Sequence, residues 1–148
     1  MTISWRPYVW KTARPATPQE MAKLEEELGV SLPADYKNLA ITHQGMAPTP
    51  CVLDIGRGNT VVCELLTISF DEEHWGSSML EAYKDTQHYL PQGIYPFAAT
   101  GAGDFICFDY RRSPDAPSVV FYFTEAEGEE AIYPVANSFT EYLSKLHD

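Results

Sequence analysis

Histidine and cysteine side chains could bind a metal or act as bases and nucleophiles, but their spacing in this sequence favours neither role. The four histidines are at positions 43, 74, 88 and 147, and no pair has the spacing that places two metal ligands on one helix face. The three cysteines, Cys51, Cys63 and Cys107, are far apart and none is adjacent to a histidine. Their odd number and wide spacing indicate free thiols in a reducing compartment. We expect Cys107, which lies inside an apolar segment, to be a small buried hydrophobic residue.

Motifs of the kind that bind phosphates or transfer protons are incomplete in this sequence. The turn Gly101-Ala102-Gly103-Asp104 lacks the third glycine of a dinucleotide-binding loop and the Gly-Lys-Ser/Thr of a P-loop, and the carboxylate of Asp104 would repel a phosphate. Asp104 and Asp109 lie five positions apart in one predicted strand, so their side chains are expected on opposite faces. We therefore predict that the protein is not an enzyme and has no catalytic, cofactor-binding or metal-binding residues.

Acidic side chains outnumber basic ones, which limits the class of partner. The chain of 148 residues contains 10 Lys and Arg and 21 Asp and Glu, and its formal net charge is −11. Because an acidic surface repels the phosphates of nucleic acids and anionic lipids, we predict that the protein binds neither nucleic acid nor a membrane surface. The same charge would attract a basic protein, although solubility alone also favours it.

Two acidic segments, each expected to be an exposed loop or turn, are the candidate partner-binding surfaces. The first contains Trp75, an aromatic residue of a type enriched at interface hot spots. The alternatives are that Trp75 covers the core and that the glutamates only solvate turns. The second segment lacks the DxDxDG pattern of a calcium-binding loop. The candidate binding residues are Asp71, Glu72, Glu73, Trp75, Glu125, Glu127, Glu129 and Glu130.

The length and composition predict one domain over residues 1–148. Hydrophobic residues make up 45 % of the chain, which is ample for one core. We place the core at about 17–147 and treat 1–16 as an aromatic N-terminal extension. The first ten residues lack the basic start and apolar run of a signal peptide, and no stretch approaches the roughly 18 apolar residues that cross a bilayer. We expect a cytoplasmic protein.

Helix start and stop signals predict four helices, of which three are well marked. A capping box begins at Thr17, and Gly29 ends that helix. A second helix is predicted over 33–43, ended by Gly45. A second capping box begins at Ser138, before one apolar helix face. The fourth helix is predicted over 78–89, with an inner face formed by Met79, Leu80, Tyr83 and Gln87.

Short apolar segments separated by turn formers predict a sheet. The strands are predicted over 51–55, 61–68, 95–99, 104–110, 118–124 and 131–135. Gly56, Gly58 and Asn59 are predicted to form the turn between the first two strands, whereas 70–76 and 125–130 are predicted as a loop and an acidic turn. Because short connections favour antiparallel pairing, the order of elements implies a single α+β domain with a central, mostly antiparallel sheet and flanking helices.

Three segments, in this order, resemble the SUKH superfamily of SMI/KNR-type domains. The first runs through an acidic helix and a glycine into Leu32-Pro33-Ala34-Asp35-Tyr36-Lys37. The second is the strand–turn–strand segment 97–109, which contains Gly103-Asp104. The third is Ser138-Phe139-Thr140-Glu141-Tyr142-Leu143. The resemblance spans most of the chain, and the departures are the N-terminal extension and the region 49–92.

The resemblance implies an α+β fold and a non-enzymatic role. Bacterial members of the superfamily are immunity proteins that neutralise a cognate toxin, often a nuclease, and fungal relatives regulate cell-wall synthesis as interaction hubs. By this resemblance we predict an immunity protein whose acidic surface binds a basic, nuclease-type toxin domain. A regulatory or scaffold protein of the same fold and a small ligand-binding protein or hydrolase are the alternatives. The shared motif residues are expected to be scaffold positions, namely Leu32, Pro33, Tyr36, Gly101, Gly103 and Phe139.

Overall fold

The computed structural model describes residues 3–7, 14–56, 58–69 and 78–148. Within these residues the chain forms four helices, eight strands and one turn of 3₁₀ helix, Gly128–Ala131. The helices are α1 (Pro18–Leu28), α2 (Ala34–His43), α3 (Met79–Thr86) and α4 (Phe139–Ser144). The strands are β1 (Ser4–Pro7), β2 (Met46–Thr49), β3 (Val52–Ile55), β4 (Gly58–Leu65), β5 (Ile94–Thr100), β6 (Phe105–Asp109), β7 (Ser118–Tyr122) and β8 (Ile132–Ala136).

Strands β3 to β8 form one sheet in which each strand pairs antiparallel with the next along the chain. This confirms the predicted α+β class and the mostly antiparallel sheet. Strands β1 and β2 form a separate two-stranded sheet that the sequence did not predict. Both strands are short and contain a proline, and β1 reads Ser-Trp-Arg-Pro without apolar alternation, so neither carries a strong strand signal.

The predicted helix starts are confirmed at the level of single hydrogen bonds. The Thr17 hydroxyl accepts a hydrogen bond from the backbone N–H of Glu20 at 3.1 Å, and the Glu20 carboxylate accepts one from the backbone N–H of Thr17 at 3.0 Å. Gly29 ends α1 with a φ of 78°, which favours glycine. The Ser138 hydroxyl accepts from the backbone N–H of Glu141 at 3.1 Å at the start of α4.

The first hairpin differs from the prediction, whereas the end of α2 agrees with it. Gly58 and Asn59, predicted as turn residues, belong to β4, because Ile55 pairs with Gly58 and only two residues are needed to connect the strands. Gly56, one of those two residues, has a φ of 59°. Helix α2 ends at His43, as predicted; Gln44 occupies the cap position, and Gly45 follows it with a φ of 76°.

Helix α3 is shorter than predicted and is rotated relative to the expected inner face. It ends at Thr86, whose hydroxyl donates to the carbonyl of Ala82 at 2.7 Å. The backbone N–H of Tyr89 donates to the carbonyl of Thr86 at 2.9 Å and closes a turn, so the helix has ended before Tyr89. Met79, Ala82 and Thr86 are buried, whereas the predicted inner residues are half-buried at Leu80 and Tyr83 and exposed at Gln87.

An aromatic cluster joins α2 and α4 to the two central strands. Tyr36 has no exposed surface, and its ring meets Phe97, Phe108 and Phe139 edge to face at centroid distances of 5.9, 5.1 and 5.4 Å. Phe97 and Phe108 stack on each other at 4.3 Å, and Tyr142 approaches Phe97 at 5.5 Å. Burial raises the pKa of both tyrosines, so each phenol stays neutral. These five residues are the aromatic cluster.

Charged residues of the Leu32–Lys37 segment and of α1 connect the helices to one another. The Asp35 carboxylate accepts hydrogen bonds from the backbone N–H and the hydroxyl of Thr140, at 3.0 and 2.8 Å, and so joins α2 to α4. The Glu25 carboxylate accepts from the backbone N–H of Leu32 at 2.7 Å and lies 3.4 Å from the Lys37 ammonium. These contacts give the two carboxylates structural roles.

The two faces of the sheet are covered by different parts of the chain. Ile106, Phe108 and Phe121 belong to the large core beneath the helices. The alternate residues of the same strands, Cys107 and Tyr122 among them, form a smaller cluster on the other face. That cluster is completed by connecting segments, through Leu90 and Ala131.

Phe97→Ala tests the aromatic cluster. Truncating a fully buried ring that contacts four others is expected to lower the free energy of unfolding by about 3–5 kcal/mol. The control is Val61→Ala on β4, whose residue is 47 % exposed and whose truncation should cost less than about 1 kcal/mol. Urea denaturation of both variants measures the difference, and equal losses would contradict the central role of the cluster.

Candidate partner-binding surface

Of the two predicted acidic segments, the structure describes the second but not the first. Asp71, Glu72, Glu73 and Trp75 lie outside the described residues, so their role in binding stays a prediction. Glu125, Glu127, Glu129 and Glu130 are described and are all exposed. The geometry of the surface is therefore built on the second segment.

The four glutamates do not form one patch. Glu125 and Glu127 line an open groove of about 520 Å³ that they share with the end of α3. Glu129 lies in a different groove of about 810 Å³, where it forms an ion pair with Arg111. Glu129 and Glu130 belong to the 3₁₀ turn Gly128–Ala131, whereas Glu127 caps the start of that turn and Glu125 precedes it. The predicted cluster is thus divided by its local backbone conformation.

The groove that contains Glu125 and Glu127 is here called the acidic groove. Three carboxylates line it, and the lining residues include neither lysine nor arginine. Among the described residues, none of these three carboxylates forms a salt bridge. The lining residues are Asp85, Thr86, His88, Tyr89, Tyr122, Thr124, Glu125, Ala126 and Glu127.

One wall of the acidic groove is fastened to the sheet by Asp104. Its carboxylate accepts hydrogen bonds from the backbone N–H and the hydroxyl of Thr124, at 2.9 and 2.8 Å. The backbone N–H of Phe123 donates to the carbonyl of Ala131 at 2.8 Å, which closes the segment at its other end. Asp104 is 7 % exposed, so these bonds are shielded from water. The motif Gly103-Asp104 therefore positions Glu125 and Glu127.

The opposite wall is the turn that follows α3. The backbone N–H groups of Tyr89 and Leu90 both donate to the carbonyl of Thr86, at 2.9 and 3.0 Å. Leu90 is buried beneath the turn, whereas Tyr89 is 71 % exposed. An aromatic side chain this exposed, on a turn fixed by hydrogen bonds, resembles the anchors found at protein interfaces.

Tyr122 lies between the two walls and is 4 % exposed. Among the described residues, its hydroxyl forms no hydrogen bond. Burial raises the pKa of Tyr122, and the nearby ionisable groups of Cys107, Tyr89 and Asp104 raise it further. The groove therefore contains a neutral hydroxyl that can accept one hydrogen bond and donate another.

Most of the charged side chains that line the larger groove are paired within the protein. Arg111 donates to the Asp109 carboxylate at 3.0 and 2.9 Å and to Glu129. Burial favours a higher pKa for Asp109, but the hydrogen bonds and charge of Arg111 outweigh it and hold that pKa below its usual range. Lys145 donates to the carbonyl of Val135 at 2.6 Å. Arg112 also lines this groove and forms no salt bridge among the described residues, so the larger groove presents an unpaired positive charge, whereas the acidic groove presents unpaired negative charges.

The groups that could perform catalysis do not combine into a catalytic unit in the described residues. His88 lines the acidic groove with three carboxylates but forms no hydrogen bond to any of them. Cys107 is fully buried, and burial, together with the charge of Asp109, raises its pKa well above the usual value for a thiol. No group of three or more metal-binding side chains occurs among these residues. The three carboxylates of the acidic groove are instead suited to binding a positively charged group.

Asp85, His88 and Tyr89 are site residues that the sequence did not identify. They lie about 40 residues before Glu125 and Glu127 along the chain, and only the packing of the turn after α3 against the β7 end brings them together. The local signal was Tyr89 immediately before Leu90-Pro91, an aromatic residue in a polar segment that breaks a helix.

Comparison with known proteins gives a family match over most of the chain. A family model, SMI1 / KNR4 family (SUKH-1), matches residues 15–145. An uncharacterized protein of Bacillus subtilis (strain 168), YnaB, is 50 % identical to this chain over 32 residues, which is 22 % of either protein. The matched region thus spans about a fifth of that relative. In the part of the chain that the structure describes, no helix is both long and apolar enough to cross a membrane.

Asp104→Ala tests how the acidic groove is held. The change removes the carboxylate oxygen that accepts both hydrogen bonds from Thr124. Amide hydrogens of residues 124–127 should therefore exchange faster with deuterium, and the free energy of unfolding should fall by about 1–3 kcal/mol. Asp115→Ala, at an exposed aspartate between β6 and β7, is the matched control and should leave both quantities unchanged. Unchanged exchange in the Asp104 variant would show that this carboxylate does not position the wall.

Proposed function

The chain belongs to the SMI1/KNR4 family (SUKH-1), and from this premise we propose that it is an immunity protein. In this proposal it binds a cognate toxin domain, which is basic and of the nuclease type, and neutralises it without chemical reaction. Members of the family are generally non-catalytic immunity or regulatory proteins. The three free cysteines are compatible with a reducing compartment, and we propose that it acts in the cytoplasm.

The proposal rests on the composition of the acidic groove. Its three carboxylates are free of salt bridges among the described residues, and an exposed aromatic ring stands beside them. An interface needs such a combination, because the aromatic ring supplies contact area while the unpaired charges select a partner of opposite sign. The charge of −11 extends the attraction to the whole molecule.

A basic toxin domain suits this surface for physical reasons. A nuclease must hold phosphates, so its active face is positively charged. Opposite charges accelerate the encounter of two proteins and favour one relative orientation. Carboxylates that occupy the phosphate-binding positions would then exclude nucleic acid. The predicted segment with Asp71, Glu72, Glu73 and Trp75 is proposed as a second part of the same interface.

Co-expression tests the proposed function. The proposed role leads us to expect a toxin gene directly upstream in the genome, and the candidate partner is the C-terminal domain that such a gene encodes. The readout is growth of cells that produce both proteins. We expect the wild-type chain to restore growth and to co-purify with the domain. Glu125→Lys with Glu127→Lys should weaken binding at least about tenfold, because two charges change sign and the groove becomes four units more positive.

The matched control carries the same change of charge elsewhere. Glu26→Lys with Glu27→Lys alters the exposed side of α1, so it reproduces the effect of net charge but leaves the groove intact. We expect this variant to retain nearly full protection. Failure of the wild-type chain to bind or protect would refute the immunity role for that pair. Recovery of endogenous cell-wall machinery in place of a toxin would favour the regulatory alternative.

A further inference from the structure

The hydroxyl of Tyr122 is the most unusual polar group in the acidic groove. The residue is 96 % buried, as its 4 % exposure shows, and the hydroxyl has no hydrogen-bond partner among the described residues. The hydroxyl of Tyr110, on the opposite face of the sheet, does have a partner, because it donates to the carbonyl of Ser31 at 2.7 Å. Leaving a buried polar group unpaired costs free energy. A site that tolerates the cost is suited to a ligand that supplies the missing partner.

The groups around this hydroxyl define the ligand's charge and shape. Asp85, Glu125 and Glu127 line the same groove and have no salt bridge in the described residues. By contrast, Glu129 is only a few positions away and is already paired with Arg111. The ring of Tyr89 adds an exposed flat surface beside the carboxylates. The complementary group is a flat cation with several N–H donors.

We propose that the acidic groove binds an arginine side chain presented by the protein partner. The guanidinium stacks on the ring of Tyr89, donates a hydrogen bond to the Tyr122 hydroxyl, and pairs with the carboxylates of Glu125 and Glu127. Arginine fits better than lysine, because its planar guanidinium offers five donors and stacks on aromatic rings, whereas an ammonium is a compact, strongly hydrated point charge. The identity of the partner rests on the proposed function, but the chemistry of the site does not.

A peptide titration tests this proposal without the toxin. Nα-acetyl-arginine amide is added to the ¹⁵N-labelled full chain, and backbone amide signals are followed. We expect saturable shifts confined to residues 85–89 and 122–127, with a dissociation constant below about 50 mM. Nα-acetyl-citrulline amide, which has nearly the same shape but no charge, should give no saturable shift. Absence of saturation with the arginine compound, or equal binding of the citrulline compound, would overturn the proposal.

Tyr122→Phe isolates the contribution of the hydroxyl. We expect roughly fivefold weaker binding of the arginine compound and an unchanged melting temperature, because the hydroxyl has no partner to lose in the free protein. Tyr110→Phe is the same substitution outside the groove and should leave the affinity unchanged. Wild-type affinity in the Tyr122 variant would contradict the assigned role. A second variant, Tyr89→Ala, at an exposed position, should also weaken binding and keeps the test independent of folding.

The two proposals can fail separately. If the arginine compound binds in the groove but the chain protects against no toxin, the arginine site stands and the immunity role falls. If the chain protects and Tyr122→Phe protects and binds as well as wild type, the immunity role stands and the arginine site falls.

Discussion

The packing of Tyr36 against Phe97, Phe108 and Phe139 is the constraint on which the rest of the structure depends. It fixes α2 and α4 on one face of the central strands, with every ring fully or almost fully buried. Because all the helices contribute to that core, the other face is left to connecting segments. The strand alternation that points Phe121 into the core points Tyr122 the opposite way, into the acidic groove. The candidate binding surface is thus a consequence of how the core is filled.

The motif residues of the family and the candidate binding residues have complementary roles. Asp35 joins two helices, and Asp104 holds the wall that carries Glu125 and Glu127. Neither carboxylate is expected to contact a partner protein, because each already accepts hydrogen bonds from the backbone N–H and the hydroxyl of a threonine in the same chain. The exposed groups of the acidic groove, such as Glu125, Glu127 and Tyr89, can change without loss of the core. Such a division permits one scaffold to present different surfaces to different proteins.

The sequence was sufficient for features that depend on neighbours along the chain. The capping boxes at Thr17 and Ser138 and the antiparallel order of the sheet follow from local hydrogen bonds and short connections, and they were predicted. The strand at Ser4–Pro7 was not, because its pairing with Met46–Thr49 is long-range and its four residues, one of them a proline, carry no strong strand signal. For the site, Glu125 and Glu127 were identified by charge. Their separation from Glu129 follows from the 3₁₀ turn that begins after Glu127, which was not predicted from the sequence. Their proximity to Tyr89 depends on tertiary packing that no spacing in the sequence encodes.

The central claim is that the acidic groove is the surface that meets a basic toxin domain. Hydrogen–deuterium exchange of the chain, alone and bound to the domain encoded directly upstream, tests this most directly, because it maps the interface without altering any residue. The account predicts slower exchange at residues 85–90 and 122–128 in the complex. Protection confined to the exposed side of α1, or to β1 and β2, with these segments unchanged, would contradict it.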